Sequence, residues 1–360
     1  MKPNDIEFEL SELFEIRTTK YGGRACFARR DIPVDTDVLV LHRALGSIVC
    51  HEFRKEVCCV CFLYDNGRTM KVRLMEKCPK LAPKGAGLWF CSEKCRHDFL
   101  SRDRIESLIE AYELFETNWL SRASDRAGLE DCQTADPEHQ ISKTDIQRMW
   151  DGLEHSWVPM IDRMKLIRQR SQLPVLNEDE YGCVRFVAHC LFTLATANKS
   201  CVQMQAFRSL QSNELVKIQQ YPILLKVQEN VFKTLYVLLP PQLKPMLTSA
   251  IFRHILGSEY GNSFGIWESA ECSESREYLG YCVLPEASYF NHSCAPNLAK
   301  RRQGERMIFT LNSPAQKDQE LCIDYKGILG LPVKERRCIL QENWFFDCGC
   351  ERCLREMVEG

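Results

Sequence analysis

SYFNHSCAPNLAKRR, residues Ser288 to Arg302, sets Asn291, His292, Ser293 and Cys294 in a row, with Pro296 and Asn297 close behind. Small polar groups without a helical or alternating period, broken by a proline, make neither a good helix nor a good strand. Such a run suits a surface turn, and it equally suits a point where a ligand and a metal ion meet. The cysteines elsewhere in the chain bear on that choice.

The chain has 360 residues and 20 cysteines, unevenly spread. Cys58, Cys59, Cys61, Cys78, Cys91 and Cys95 crowd one region, and Cys348, Cys350 and Cys353 crowd the end. Cys132, Cys183, Cys190, Cys201, Cys272, Cys282, Cys322 and Cys338 are scattered and read as small buried apolar groups. EVCCVCF offers Cys58 and Cys61 two residues apart, and FCSEKC offers Cys91 and Cys95 with three between. Two close pairs separated by a loop are zinc spacing, because each pair can turn two thiolates onto one tetrahedral ion. Cys59 could replace Cys58, but the two-residue gap fits a zinc knuckle better. Cys78 is followed by Pro79, Lys80 and Leu81 and lacks a nearby partner, and His97 is a single imidazole that reads as capping or packing locally, so one zinc is expected here.

The tail FFDCGCERC supplies only three thiols, whereas a structural zinc site takes four ligands. Either a distant fourth thiolate joins them or the cluster is no site. Cys294, in the opening stretch, is the natural candidate. Zinc would then tie the tail onto the Asn-His-Ser-Cys segment, adding on the order of 10 kcal/mol of folding energy.

Composition narrows the class. A 45% hydrophobic content is globular, and a net charge of −2 gives no support to general nucleic-acid or membrane binding. The acidic start MKPNDIEFELSELFEI has no cationic leader followed by an apolar run, and no apolar stretch is long enough to span a bilayer. A soluble intracellular protein, in nucleus or cytoplasm, is expected. Strand signals run from Leu13 to Leu41 and return from Ser263, while helical periodicity marks Arg104 to Leu120, Asp179 to Asn198 and Tyr221 to Leu239. The polar run from Cys132 to Asp145 reads as an exposed connection. The expected fold is α+β: one strand-rich core split by a large insertion.

Five blocks in this order resemble the SET-domain lysine methyltransferases of the SET-and-MYND class, in particular fungal members with a reduced, single-zinc MYND finger. They are GGRACFARRDIPVDTDVL, CCVCF through FCSEKC, GNSFGIW, SYFNHSCAPN with ELCIDY, and FFDCGCERC. The resemblance implies a β-clip SET core at 11–49 and 258–330. It implies a degenerate MYND-like finger at 50–100, a helical insertion at 101–257 and a post-SET zinc tail at 331–360. It implies that the NHSC and DY segments thread past one another in a pseudoknot, an exception to unknotted topology. S-adenosylmethionine would be held by Gly22, Gly23, Arg24, Asn262, Asn291, His292 and Phe346. Tyr325 would stand where the cofactor pocket meets a lysine channel. Zinc ligands would be Cys58, Cys61, Cys91 and Cys95 in the finger and Cys294, Cys348, Cys350 and Cys353 in the tail.

The implied chemistry explains the residue types. A lysine ammonium with a pKa near 10.4 must lose its proton before it attacks, at about 4.6 kcal/mol at pH 7. A dry channel beside a sulfonium lowers that pKa, since desolvation and like charge both disfavour the ammonium. Tyrosine, with a pKa near 10, acts there as an orienter and electrostatic contributor. The expected partner is a protein substrate carrying a lysine, histone or not, and the expected state is a monomer. Three departures from the family stand out. Ala25 takes the place of a glycine, and a positive φ there would strain it by about 1 kcal/mol. The finger also lacks a second ligand set, and no helical-repeat extension follows the tail. Ala25 and the reduced finger favour the competing reading, a zinc-braced interaction module that holds a partner peptide without turnover.

Overall fold

The computed structural model describes residues 8–19, 23–126, 141–268 and 276–359, so Gly22, Cys132 and Cys272 lie outside the described residues. Two compact units divide the chain. The first comprises Met1–Ala44, Asn198–Gln211 and Leu284–Gly360, and the second Leu45–Ala197 and Ser212–Val283.

In the first unit, four strands lie in the order Phe14–Thr18, Arg24–Ala28, Glu320–Ile323 and Asn291–His292. The first two form an antiparallel hairpin with Phe14 opposite Ala28 and Thr18 opposite Arg24. Gly23, with φ of 71°, makes the turn, a conformation that side-chain-bearing residues adopt at a cost. Ala25 sits one residue into the extended strand, fully buried and outside the positive-φ region. The strain expected there is absent, because the turn ends before it. Asn291 and His292 pair in parallel with Cys322 and Ile323, which brings the opening stretch beside the segment that leads to Tyr325. A second sheet joins Leu298–Gln303, Arg306–Leu311 and Asp37–Leu41. Phe290 packs between Phe14 and Phe309, with ring centroids 5.3 and 5.2 Å away.

The chain's last part is more helical than its sequence suggested. Val333–Trp344 and Glu351–Glu359 are helices, where only a cysteine tail was expected. Cys338 lies exposed on the first of them, its thiol 3.2 Å from Glu342 Oε1, so the buried reading fails for this cysteine. Cys190, Cys282 and Cys322 are buried as expected.

In the second unit, a sheet of Gly46–Val49, Tyr278–Val283 and Ser263–Trp267 accompanies helices that include Ile105–Ser121, Glu178–Thr196 and Ile223–Leu238. All three helices fall where the periodicity put them. Asn177 starts the second with a reciprocal cap to Glu180, which satisfies backbone donors that a helix end leaves free. The expected connection from Cys132 to Asp145 lies outside the described residues up to 140. Its end is already helical, because Ser142 and Asp145 cap the Lys143–Gly152 helix in the same way. The cysteine-rich segment is built on a short ladder of Val72–Arg73 with Trp89–Phe90 and a helix at Glu93–Leu100.

Candidate metal centres and the Tyr325 site

Cys58, Cys61, Cys91 and Cys95 form one group and Cys294, Cys348, Cys350 and Cys353 another, the sulfurs of each lying within 4.8 Å of one another. A tetrahedral zinc with bonds of about 2.3 Å separates its sulfurs by about 3.8 Å. In the first group, Cys91 Sγ lies 3.6 Å from Cys61 Sγ and 3.5 Å from Cys95 Sγ. In the second, Cys294 Sγ and Cys353 Sγ are 3.4 Å apart. Both donor sets fit zinc.

Local backbone produces this convergence. The Cys58 carbonyl accepts from Phe62 N–H at 2.9 Å, closing a knuckle in which Phe62 takes a φ of 59°. Ser92 caps the helix that carries Cys95, its hydroxyl accepting from Cys95 N–H. Cys59 faces elsewhere: its N–H donates to the Trp89 carbonyl, and burial pushes its thiol well up. Cys58 is pushed down to about 5, chiefly by hydrogen bonding with Cys61, whose own thiol is pushed up. In the tail group, hydrogen bonds with Cys294 and Cys348 drive Cys350 down. In each group one thiol, Cys58 or Cys350, thus favours the thiolate that binds metal, while the neighbours that hydrogen-bond to it are pushed up.

Arg336, 1% exposed, lies against the second group. Its Nε is 3.2 Å from Cys294 Sγ, and its Nη2 bonds Glu356 Oε2 at 2.6 Å. A guanidinium here offsets part of the negative charge of clustered thiolates. Nothing in the run KERRC distinguishes this arginine from its neighbours, so the sequence reading missed it. Asn297 was missed as well. Its buried amide donates to the Glu320 carbonyl at 2.9 Å and accepts from Cys322 N–H at 2.8 Å, continuing the pairing of a strand it does not belong to.

Tyr325 stands beside the tail group. Its hydroxyl donates to the Phe290 carbonyl at 3.2 Å. Trp344 and Phe346 pack on it, with ring centroids 5.2 and 6.2 Å away. Burial raises its pKa, so the phenol stays protonated at neutral pH and is unsuited to act as a base. Aromatic faces beside a backbone carbonyl are an environment that attracts a cation. Trp344 was not singled out from sequence, although it opens the aromatic run WFF that precedes the cysteines.

The other expected site residues are placed as follows. His292 Nδ1 accepts from Tyr325 N–H at 3.2 Å, and its Nε2 lies 3.3 Å from Cys294 Sγ. Burial lowers its pKa and keeps it neutral. Asn291 donates to Glu320 Oε1 at 3.1 Å. The Arg24 guanidinium donates to the Ser209 carbonyl and lies 5.1 Å from the Tyr289 ring centroid. The structure therefore brings His292, Tyr325, Phe346 and the tail cysteines together. Asn262 ends the Ser249–Asn262 helix of the second unit, its amide donating to the Ser258 carbonyl at 2.8 Å.

Comparison with known proteins gives this arrangement its family. The SET domain matches residues 23–326. The chain is 47% identical over 361 residues to the potential protein lysine methyltransferase SET6 of Saccharomyces cerevisiae, covering 97% of each chain. A SET and MYND domain-containing protein of Dictyostelium discoideum is 38% identical over 101 residues, 28% of this chain and 25% of that one. The histone-lysine N-methyltransferase SMYD3 of Mus musculus is 32% identical over 92 residues, 26% of this chain and 20% of that one. The chain belongs to the SET-domain family.

Proposed function

We propose that this protein-lysine N-methyltransferase uses S-adenosylmethionine and presents the acceptor lysine of a protein substrate at Tyr325. The single observation that carries this reading is the half-buried Tyr325, its hydroxyl on the Phe290 carbonyl and its ring beside His292, Trp344 and Phe346. When bound, S-adenosylmethionine supplies an electrophilic methyl group on a sulfonium. Gly23, Arg24, Asn291, His292 and Phe346 hold it, and Gly22, outside the described residues, and Asn262 are assigned on resemblance alone. Tyr325 orients the amine and the aromatic side chains exclude water, which lowers the ammonium pKa and aligns the nucleophile. Each cysteine group holds one zinc ion, and the tail's zinc fixes Trp344 and Phe346 beside Tyr325.

Residues 50–100 are read as a single-zinc MYND-type finger. The segments 11–49 and 258–330 form the SET core, 101–257 the helical insertion and 331–360 the post-SET tail. Partial similarity to SET-and-MYND proteins supports this division. The interaction-module reading loses its first argument, since Ala25 is unstrained. Among the described residues no helix is long and apolar enough to cross a membrane.

The decisive experiment incubates wild type and Tyr325→Phe with methyl-labelled S-adenosylmethionine and unmodified protein pools. Label in lysine with wild type, strongly reduced in the variant, is the expected result. Cofactor binding with no labelled lysine in any pool would return the chain to the interaction-module reading.

A further inference from the structure

The second unit contains a cavity that methyl transfer does not use. Its volume is about 50 Å³, and its lining includes His51, Arg54, Cys59, Arg102, Tyr112 and Arg185. Three arginines thus line one small space, and no carboxylate lines it among the described residues. Two acids outside the lining contact residues within it. Glu116 accepts from the Tyr181 hydroxyl, and Glu178 Oε1 lies 2.9 Å from His51 Nδ1. Arg185 is held rigidly, donating to the Ala86 carbonyl at 2.9 Å and lying 4.0 Å from the Tyr112 ring centroid. Arg54 donates one N–H to the His51 carbonyl at 2.8 Å. A guanidinium carries five N–H groups, so donors remain for an oxyanion, the partner its fork fits best.

His51 specifies which oxyanion. Its side chain is only 8% exposed, and burial lowers its pKa, so the ring is neutral. The carboxylate oxygen 2.9 Å from Nδ1 repels a lone pair there, so the neutral ring carries its proton on Nδ1 even though the contact makes no hydrogen bond. Nε2 is then a lone-pair acceptor, and like Nδ1 it has no hydrogen-bond partner among the described residues. The cavity therefore asks for anionic oxygens against its arginines and one O–H against His51. Hydrogen phosphate offers both on one small tetrahedral group, whereas sulfate offers only the oxygens.

We propose that this cavity binds a hydrogen phosphate group, free or as a small phosphomonoester. The test is calorimetric titration of the full-length protein with sodium phosphate, sodium sulfate and phosphoserine, at ionic strength matched with sodium chloride. Saturable phosphate binding, with sulfate at least tenfold weaker, is expected. His51→Phe should abolish the preference for phosphate, and Arg54→Gln should weaken both anions. Tighter binding of phosphoserine than of phosphate points to a monoester as occupant, and the reverse to free phosphate. Equal responses to phosphate, sulfate and chloride in the wild type overturn the proposal even if a variant fails to fold. So does unchanged phosphate affinity in folded variants.

Discussion

His292 Nε2 lies 3.3 Å from Cys294 Sγ, while the same ring's Nδ1 accepts the Tyr325 backbone N–H. Because Nδ1 accepts, the neutral ring carries its proton on Nε2 and directs it at the sulfur. One imidazole thereby links a zinc-ligand candidate to the backbone of the tyrosine proposed for catalysis. This placement gives His292 a positioning role beside the cofactor role implied by resemblance.

His292→Ala should reduce kcat by about 10- to 100-fold and weaken zinc retention in the tail, the range seen when a group supporting a metal ligand is removed. His292→Gln, which keeps a donor and an acceptor, should recover part of both. Paired kinetics and zinc analysis check this. Full activity with full zinc in the alanine variant would show that the link is idle.

Tyr325→Phe should lower kcat while altering stability by only about 1 kcal/mol, the net worth of one hydrogen bond. Burial raises the tyrosine's folded pKa, so its stabilising contribution is intact below pH about 10 and declines above it, as the unfolded chain ionises first. No limb of the rate profile between pH 7 and 9 should therefore trace to Tyr325. A limb in that range that vanishes in the phenylalanine variant would assign the phenol a base role.

Purified protein should carry two zinc ions per chain, one for each cysteine group. Cys294→Ser should reduce this to one and abolish turnover, while Cys58→Ser should remove the other ion. Elemental analysis with the labelling assay reads both. A Cys294→Ser protein that retains two ions would break the proposed union of tail and core.

Ala25→Gly should not improve cofactor affinity. Ala25 is a fully buried strand residue with ordinary extended backbone, so glycine there lowers stability by about 0.5–1 kcal/mol through lost chain restriction. Denaturant unfolding and cofactor titration of the variant test this, and a tenfold gain in affinity would contradict the structure's reading of the turn.

The cysteine spacings, the NHSC run and the periodic helices were legible in the sequence because each is a local pattern: ligands close in number, or apolar residues at helical intervals. Valence called for a fourth ligand beside the three tail thiols, and Cys294 in the NHSC run was the natural candidate. The helices at Val333–Trp344 and Glu351–Glu359 were overlooked because charged residues dominate them and the cysteines drew the reading toward a loop. Arg336, Asn297, Trp344 and the tautomer of His292 depended on tertiary contacts between segments far apart in number. Distances such as the 3.2 Å from Arg336 Nε to Cys294 Sγ exist only once the chain has folded. Sequence supplied the chemical groups, and folding supplied their partners, because burial and hydrogen-bond geometry are properties of the packed chain.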